Sequence, residues 1–245
     1  MPRLDALRAD FGILRQMLRG MPRDLSHAQR LEAFYAPQAA HYDAFRERLL
    51  HGRSELVASL PLPHGAHVVE LGGGTGRNVE FFGDRLAGIA RVDVVDLCPA
   101  LVEQARKRSA IDTRIHVSLA DATTWKPAQP VDCVYLSYAL TMIPEWRAAI
   151  ANAIAMLKPG GALGVVDFYI SERDPAPGLV RHGALTRRFW PAWFGHDGVK
   201  LDAAPLSELR AQLPVHTLAE CRAPVPYLPL LRVPYYRFVG IKPVA

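Results

Sequence analysis

The sequence predicts an α/β fold built on a mostly parallel sheet flanked by helices, and three observations carry that prediction. The first is Val68-Val69-Glu70-Leu71-Gly72-Gly73-Gly74-Thr75-Gly76-Arg77-Asn78, where two β-branched residues and an acid run into glycines at 72, 74 and 76. The second is the alternation of short apolar runs with stretches of helical spacing between residues 63 and 169. The third is an acid just past successive apolar runs, Asp96 and then Asp121, where a parallel sheet presents its ligand crevice.

In chain order, Val68 to Leu71 reads as a strand and the glycines as a tight turn, because a residue without a Cβ lets a ligand approach backbone N–H groups. Val92-Asp93-Val94-Val95-Asp96 is a second strand. Asp96 lies twenty residues after Gly76, close to the separation at which a strand-end acid meets a ribose, and its carboxylate can accept from both ribose hydroxyls. Asp93 competes for that role but falls inside the strand. Arg114 to Leu119 is a third strand leading into Ala120-Asp121-Ala122, where an acid could accept from an exocyclic amine or cap a helix. Val131 to Tyr138 is a fourth, whose carboxyl end from Ser137 to Met142 should border the crevice. Glu145 to Leu157 has Trp146, Ile150, Ile154 and Leu157 at helical spacing; Lys158-Pro159-Gly160-Gly161 stops it, and Ala162 to Tyr169 is a fifth strand. His216 to Arg222 and Tyr235 to Ile241 are strand-like runs joined by a Pro-rich stretch, 224–234.

The glycine spacing narrows the ligand. A dinucleotide fingerprint places its third glycine three residues after the second, and Arg77 occupies that position here. The form E-x-G-x-G-x-G resembles motif I of class I S-adenosylmethionine (SAM) methyltransferases, and the helix, Leu-Lys-Pro-Gly-Gly stop and following strand resemble the same core. The resemblance implies a Rossmann-like, seven-stranded sheet with a C-terminal antiparallel hairpin. It also implies SAM as cofactor, held by Tyr42, Glu70, Gly72, Gly73, Gly74, Gly76, Asp96, Leu97, Asp121, Ala122 and Ser137.

Composition excludes several other classes. Half of the 245 residues are hydrophobic, enough for a sizeable core. The net charge of +5 is spread without a basic run, which suits an anionic surface or substrate better than nucleic acid. Cys98, Cys133 and Cys221 are far apart and read as reduced thiols in a cytoplasmic setting, and no Cys/His group has zinc spacing, so no metal is expected. The first residues carry charge rather than an apolar signal core, and no apolar stretch approaches the ~20 residues of a spanning helix.

Residues 1–62 precede the core and read as a helical extension covering the cofactor; 63–245 form the core, with an insertion at about 173–200. Residues 3–21 have Leu4, Leu7, Phe11, Leu14 and Leu18 on one face and arginines mostly elsewhere, a pattern for a helix packed on the core or lying on a membrane surface. Tyr35 and Tyr42 are seven apart and could share a helical face if Pro37 allows. Between 181 and 198, three arginines precede Phe189, Trp190, Trp193 and Phe194, a texture suited to a lipid headgroup boundary or to a satellite core.

Three stretches, Tyr35 to Gly52, Leu185 to Val199 and Arg222 to Tyr236, resemble the N-methyltransferases of betaine-lipid synthesis, which act on diacylglyceryl-homoserine. That resemblance implies three methyl transfers to a lipid-linked amine; the basic helix 3–21 and the Arg-rich aromatic segment 181–194 point separately to peripheral contact with an anionic membrane. Tyr35, Tyr42 and His196 would then serve the reaction, with His41, His182 and Asp197 as further candidate bases. Arg46, Arg187 and Arg188 would clamp the acceptor carboxylate, and Trp190 and Trp193 would wall its pocket. Phosphatidylethanolamine N-methylation and quinone-ring C-methylation are the alternatives. A nucleotide-dependent oxidoreductase and a non-catalytic SAM-binding protein stand further off. Oligomeric state is left open.

Overall fold

The computed structural model describes residues 21, 24–195, 198–226 and 228–244. The expected helix at 3–21 therefore lies outside the described residues, except for Met21. A seven-stranded sheet in the order β3-β2-β1-β4-β5-β7-β6 organises the rest. Its strands are β1 (Ala66–Leu71), β2 (Ile89–Asp96), β3 (Ile115–Leu119), β4 (Val131–Ser137), β5 (Leu157–Phe168), β6 (His216–Val225) and β7 (Leu228–Ile241). The first five pair in parallel, and β7 runs antiparallel to both β5 and β6. This is the doubly wound sheet with a C-terminal antiparallel pair that the sequence predicts.

The central strands are near-continuous apolar runs because both sheet faces are covered. Val68, Val94, Tyr135 and Val166 face one layer with Leu56, Val57 and Phe82. Val69, Leu71, Leu136 and Val165 face the other with Ala149, Ile150 and Ala153. Strand order reverses between β1 and β4, so a crevice opens at their carboxyl ends.

The helices are α1 (His27–Tyr35), α2 (Tyr42–Leu49), α3 (Arg53–Ser59), α4 (Pro99–Ser109), α5 (Trp146–Met156), α6 (Ala184–Gly195) and α7 (Ala204–Gln212). A capping box starts α1: the Gln29 N–H donates to Ser26 Oγ at 3.4 Å and the Ser26 N–H to Gln29 Oε1 at 3.1 Å. At Ala36–His41 the chain tightens into a 3-10 helix before α2 begins. Tyr35 and Tyr42 therefore do not share one continuous helical face, since Pro37 sits where regular α-geometry is lost.

Three further elements differ from expectation. The glycine loop leads into 3-10 turns, Arg77–Gly88, broken at Gly83 (φ 52°, ψ −132°). The helix stops at Met156, just before Lys158-Pro159-Gly160-Gly161, but the strand that follows starts at Leu157 rather than Ala162. Gly161 is held there because a Cβ would lie 3.0 Å from the Lys158 carbonyl and 3.1 Å from that of Asp132. The Pro-rich stretch 224–234 is not a connector; both strands continue through it. Pro224 lies on the edge strand β6, and Pro234 sits where β5 runs out, its carbonyl still accepting from the Tyr169 N–H at 3.3 Å.

Candidate functional site

At the carboxyl end of β1 the chain turns through Gly72 (φ 71°) and Gly74 (φ 55°), both in the left-handed region. A Cβ on Gly72 would come within 2.6 Å of the Ala139 Cβ, so this glycine lets the ends of β1 and β4 close up. The N–H groups of Gly72 and Gly73 donate to the Val95 carbonyl at 2.8 and 3.1 Å. Asp96 holds the next amides: Oδ2 accepts from Gly74 N–H and Oδ1 from Cys98 N–H, each at 2.8 Å. Burial pushes its carboxyl up, and the backbone N–H bonds oppose that rise. Gly72, Gly74, Asp96, Leu97, Asp121, Ala122 and Ser137 all line one crevice of about 320 Å³.

Across the crevice, Asp121 Oδ1 accepts from the Thr123 N–H at 2.8 Å and the Thr123 hydroxyl at 2.7 Å. The turn is anchored from behind by Asn152, whose Nδ2 donates to the carbonyls of Ala122 and Trp125 at 2.9 Å each. Ser137 Oγ is buried at the end of β4 with no hydrogen-bond partner among the described residues, a polar atom facing a ligand-sized space. Tyr138 follows with φ 54°, an uncommon geometry for a non-glycine residue. Its hydroxyl donates to the His51 carbonyl at 2.6 Å.

Glu70 corrects an expectation. It is fully buried beneath the loop rather than lining the crevice. Asn78 Nδ2 donates to its Oε1 at 2.6 Å and the Tyr135 hydroxyl to its Oε2 at 2.9 Å. Arg53 Nη1 donates to Asn78 Oδ1 at 3.1 Å. Burial raises the Glu70 carboxyl to about 7. Glu70 thus positions the loop from below, tying β1 to α3. Gly73 and Gly76 also lie off the crevice lining. A Cβ on Gly73 would meet Val94 at 2.6 Å and Glu70 at 3.1 Å, and Gly76 (φ 69°) caps the 3-10 turns.

His27, Leu31 and Tyr35 of α1, with Leu50, line the crevice from the N-terminal side. The Arg46 guanidinium carbon lies 5.8 Å from the centre of the Tyr35 ring. Asp43 fastens α2 to the loop: its Oδ1 accepts from the Thr75 hydroxyl at 2.6 Å and its Oδ2 from Arg108 Nη2 at 2.7 Å. The Tyr42 side chain lies outside the described residues, as do His196 and Asp197. Tyr138 and Met142 fall in the Ser137 to Met142 stretch expected at the crevice, whereas His27, Leu31 and Leu50 are crevice residues that the sequence reading missed. The Ser26-x-x-Gln29 capping box was the available signal for His27.

The aromatic insertion is not a wall of this crevice. Trp190 is buried in the core, its ring centre 5.7 Å from that of Phe194. Phe194 stacks on Phe168 at 4.9 Å, and Phe168 meets Tyr138 at 4.5 Å. Trp190 thus stands behind the crevice, because the register of α6 turns it inward with Phe194. Trp193 and Arg188 are exposed, and Arg187 borders a separate cavity. His182 is buried, Nδ1 accepts from the Ser171 N–H at 3.0 Å, and burial lowers its pKa to about 4. That nitrogen is unavailable as a base. No helix among the described residues is long and apolar enough to cross a membrane.

Residues 68–161 match the family model of a methyltransferase domain. The chain is 33% identical over 127 residues to the trans-aconitate 2-methyltransferase of Variovorax paradoxus, covering 51% of this chain and 48% of that protein. Its identity to the same enzyme of Methylobacterium radiotolerans is 32% over 126 residues, 51% and 47% of the two chains. The chain thus spans about half the length of the curated relatives it matches. The N-methyltransferase NodS from Bradyrhizobium japonicum, solved with S-adenosyl-L-homocysteine, shares the fold at TM-score 0.61 and 21% identity, covering 86% of this chain and 98% of that one. The phosphoethanolamine N-methyltransferase 2 of Haemonchus contortus superposes at TM-score 0.68 with 13% identity, over 91% and 61%. The fold is that of class I, Rossmann-like methyltransferases, and the crevice residues fit their cofactor, SAM. A carboxylate stands at the end of β2, a second acid lines the same crevice, a left-handed glycine turn leaves room for close approach, and Ser137 Oγ has no hydrogen-bond partner among the described residues.

Proposed function

We propose that this chain is a SAM-dependent methyltransferase, and that its acceptor enters between Tyr35, Leu50 and Tyr138. The observation that carries the reading is Asp96: each carboxylate oxygen takes one backbone N–H, leaving further lone pairs at the rim of the crevice for ribose hydroxyls. Bound there, SAM supplies a methyl already activated on a sulfonium. The chain's own work is placement. Gly72 and Gly74 give the cofactor backbone contact, Asp96 and Asp121 hold its two ends, and the apolar residues exclude water. Holding donor and acceptor in line accounts for ~7–11 kcal/mol of a bimolecular barrier.

For the acceptor, a lipid-linked amino-acid amine is the reading we favour, on the resemblance of Tyr35 to Gly52, Leu185 to Val199 and Arg222 to Tyr236 to betaine-lipid N-methyltransferases. The crevice supports an amine. Its described lining contains Asp96, Asp121 and Glu145 but no lysine or arginine. An amine gains from such a field, whereas a tricarboxylate would meet repulsion. The Arg46 guanidinium, 5.8 Å from the centre of the Tyr35 ring, is the cation we assign to a single acceptor carboxylate. Each transfer breaks a C–S bond and forms a C–N bond, and the proton gained by nitrogen leaves before the next transfer. The second reading, methylation of a small carboxylic acid, draws on the 33% identity to trans-aconitate 2-methyltransferase. Incubating the protein with methyl-labelled SAM and, separately, diacylglyceryl-homoserine, phosphatidylethanolamine and trans-aconitate decides between them. Label in diacylglyceryl-homoserine alone is the expected result; label in trans-aconitate alone overturns the amine reading.

A further inference from the structure

Helix α6 has two opposed faces. Trp190 and Phe194 turn inward, 3% and 2% exposed. Leu185, Phe189, Ala192 and Trp193 follow at i, i+4, i+7 and i+8, one stripe on the other side. Leu185 is 80% exposed and Trp193 41%, with Phe189 stacked on Trp193 at 5.8 Å. Arg188 is exposed alongside. At the amino end of the helix, Arg173, Arg181, His182 and Arg187 border a cavity of about 420 Å³. Because His182 Nδ1 accepts from the Ser171 N–H, the ring carries its proton on Nε2 and is a neutral donor. The first-turn N–H groups of α6 add positive potential there. Residues 171–195 hold four arginines against two acids, Glu172 and Asp174. Asp174 pairs with Arg181 at 3.3 Å, but both are largely exposed, so the pair is weak and exchangeable.

We propose that the outer face of α6 docks on an anionic lipid bilayer, with Leu185 and Trp193 entering the headgroup boundary and the arginine-lined cavity taking a lipid phosphate. Charge complementarity selects the surface: an apolar stripe ending in a cationic, donor-lined cavity matches a plane of acyl chains beneath phosphates. The inner face of the same helix lies two aromatic rings, Phe194 and Phe168, from Tyr138 at the crevice. Docking by α6 therefore brings the crevice close to the bilayer. The choice of a bilayer over a protein partner rests in part on the lipid-acceptor reading.

Vesicle co-sedimentation of the full chain tests this, with phosphatidylcholine alone and with equal parts phosphatidylcholine and phosphatidylglycerol. The protein should pellet with the anionic vesicles and not the neutral ones, and salt should release it. Leu185→Glu and Trp193→Glu should each weaken binding about tenfold or more. Arg173→Gln with Arg187→Gln should weaken it roughly 25-fold, at about 1 kcal/mol per charge. All variants should bind SAM as the parent does. Equal binding to both vesicle types, or none, overturns the proposal. So does Leu185→Glu splitting a dimer while vesicle binding is unchanged, which assigns the face to a second copy. Calorimetry with glycerophosphate separates a free phosphate from a headgroup: saturation by glycerophosphate without vesicle binding also overturns it. Lipid methylation is scored separately, so docking can stand when the acceptor reading falls, and the reverse.

Discussion

The floor of the crevice and the outer face of α6 are both built from charged and aromatic side chains, yet they settle their polar groups in opposite ways. Under the glycine loop, Glu70, Asn78, Arg53 and Tyr135 satisfy one another, and Asp96 is spent largely on backbone amides. Around α6, the arginines border open space and the large apolar residues face outward. A closed network fixes a geometry and leaves only chosen lone pairs for a ligand. An open one leaves its charge for whatever arrives. The first arrangement suits a small ligand of fixed shape, the second a surface.

Five substitutions break or sharpen that contrast. Gly72→Val should abolish SAM binding, more than ~100-fold by calorimetry, because its Cβ meets Ala139 and its φ is left-handed. Trp193→Glu should leave the same affinity untouched; a loss there would mean that α6 belongs to the cofactor site after all. Asp96→Ala should weaken SAM binding by ~1–3 kcal/mol, the cost of unpairing ribose hydroxyls from a charged acceptor. An unchanged Kd would remove Asp96 from ligand binding and leave it as a loop brace.

The fourth substitution addresses Glu70, whose folded pKa of about 7 lies above its ordinary 4.5. The folded state holds that proton more tightly, so the stability it lends is full below pH 4.5 and is lost as pH rises through about 7. The loss is on the order of 3 kcal/mol at most. Asp167, raised to about 7 by its own burial, adds to the fall in the same window. Glu70→Gln should flatten roughly half of the decline in urea-unfolding free energy between pH 4.5 and 8; an unaltered slope would show that Glu70 does not titrate there. The smallest effect is expected for Arg108→Gln, which loosens the Asp43–Thr75 clasp. SAM affinity should drop only a few-fold, and less at high salt, since these charges are partly exposed.

The sheet was legible because parallel strands buried on both faces write themselves as apolar runs, and a left-handed turn demands glycine. Asp96, Asp121, Ala122 and Ser137 were legible because they fall at strand ends. Glu70 was misplaced because alternation along β1 points it under the loop, toward Asn78 in the turn that follows and toward Tyr135, which is distant in sequence. Trp190 was misplaced because a cluster of aromatics does not say which of them face inward; the register of α6 does. The His27 and Leu31 contacts come from a helix before the first strand, and no motif in the core announces where such a helix will lie.

The position of β7 has a consequence for synthesis. It is the last of the seven strands to be made, yet it lies between β5 and β6, and within the described sheet β6 pairs with no other strand. As the chain leaves the ribosome, β1 to β5 can assemble in order, but β6 must wait without a partner until residues 228–241 emerge. Until then β5 is an open edge carrying a buried-type sequence, the kind of edge that recruits other chains. Translation that stalls between β6 and β7 should yield aggregation-prone nascent chains, whereas a stall after β7 should release a finished sheet.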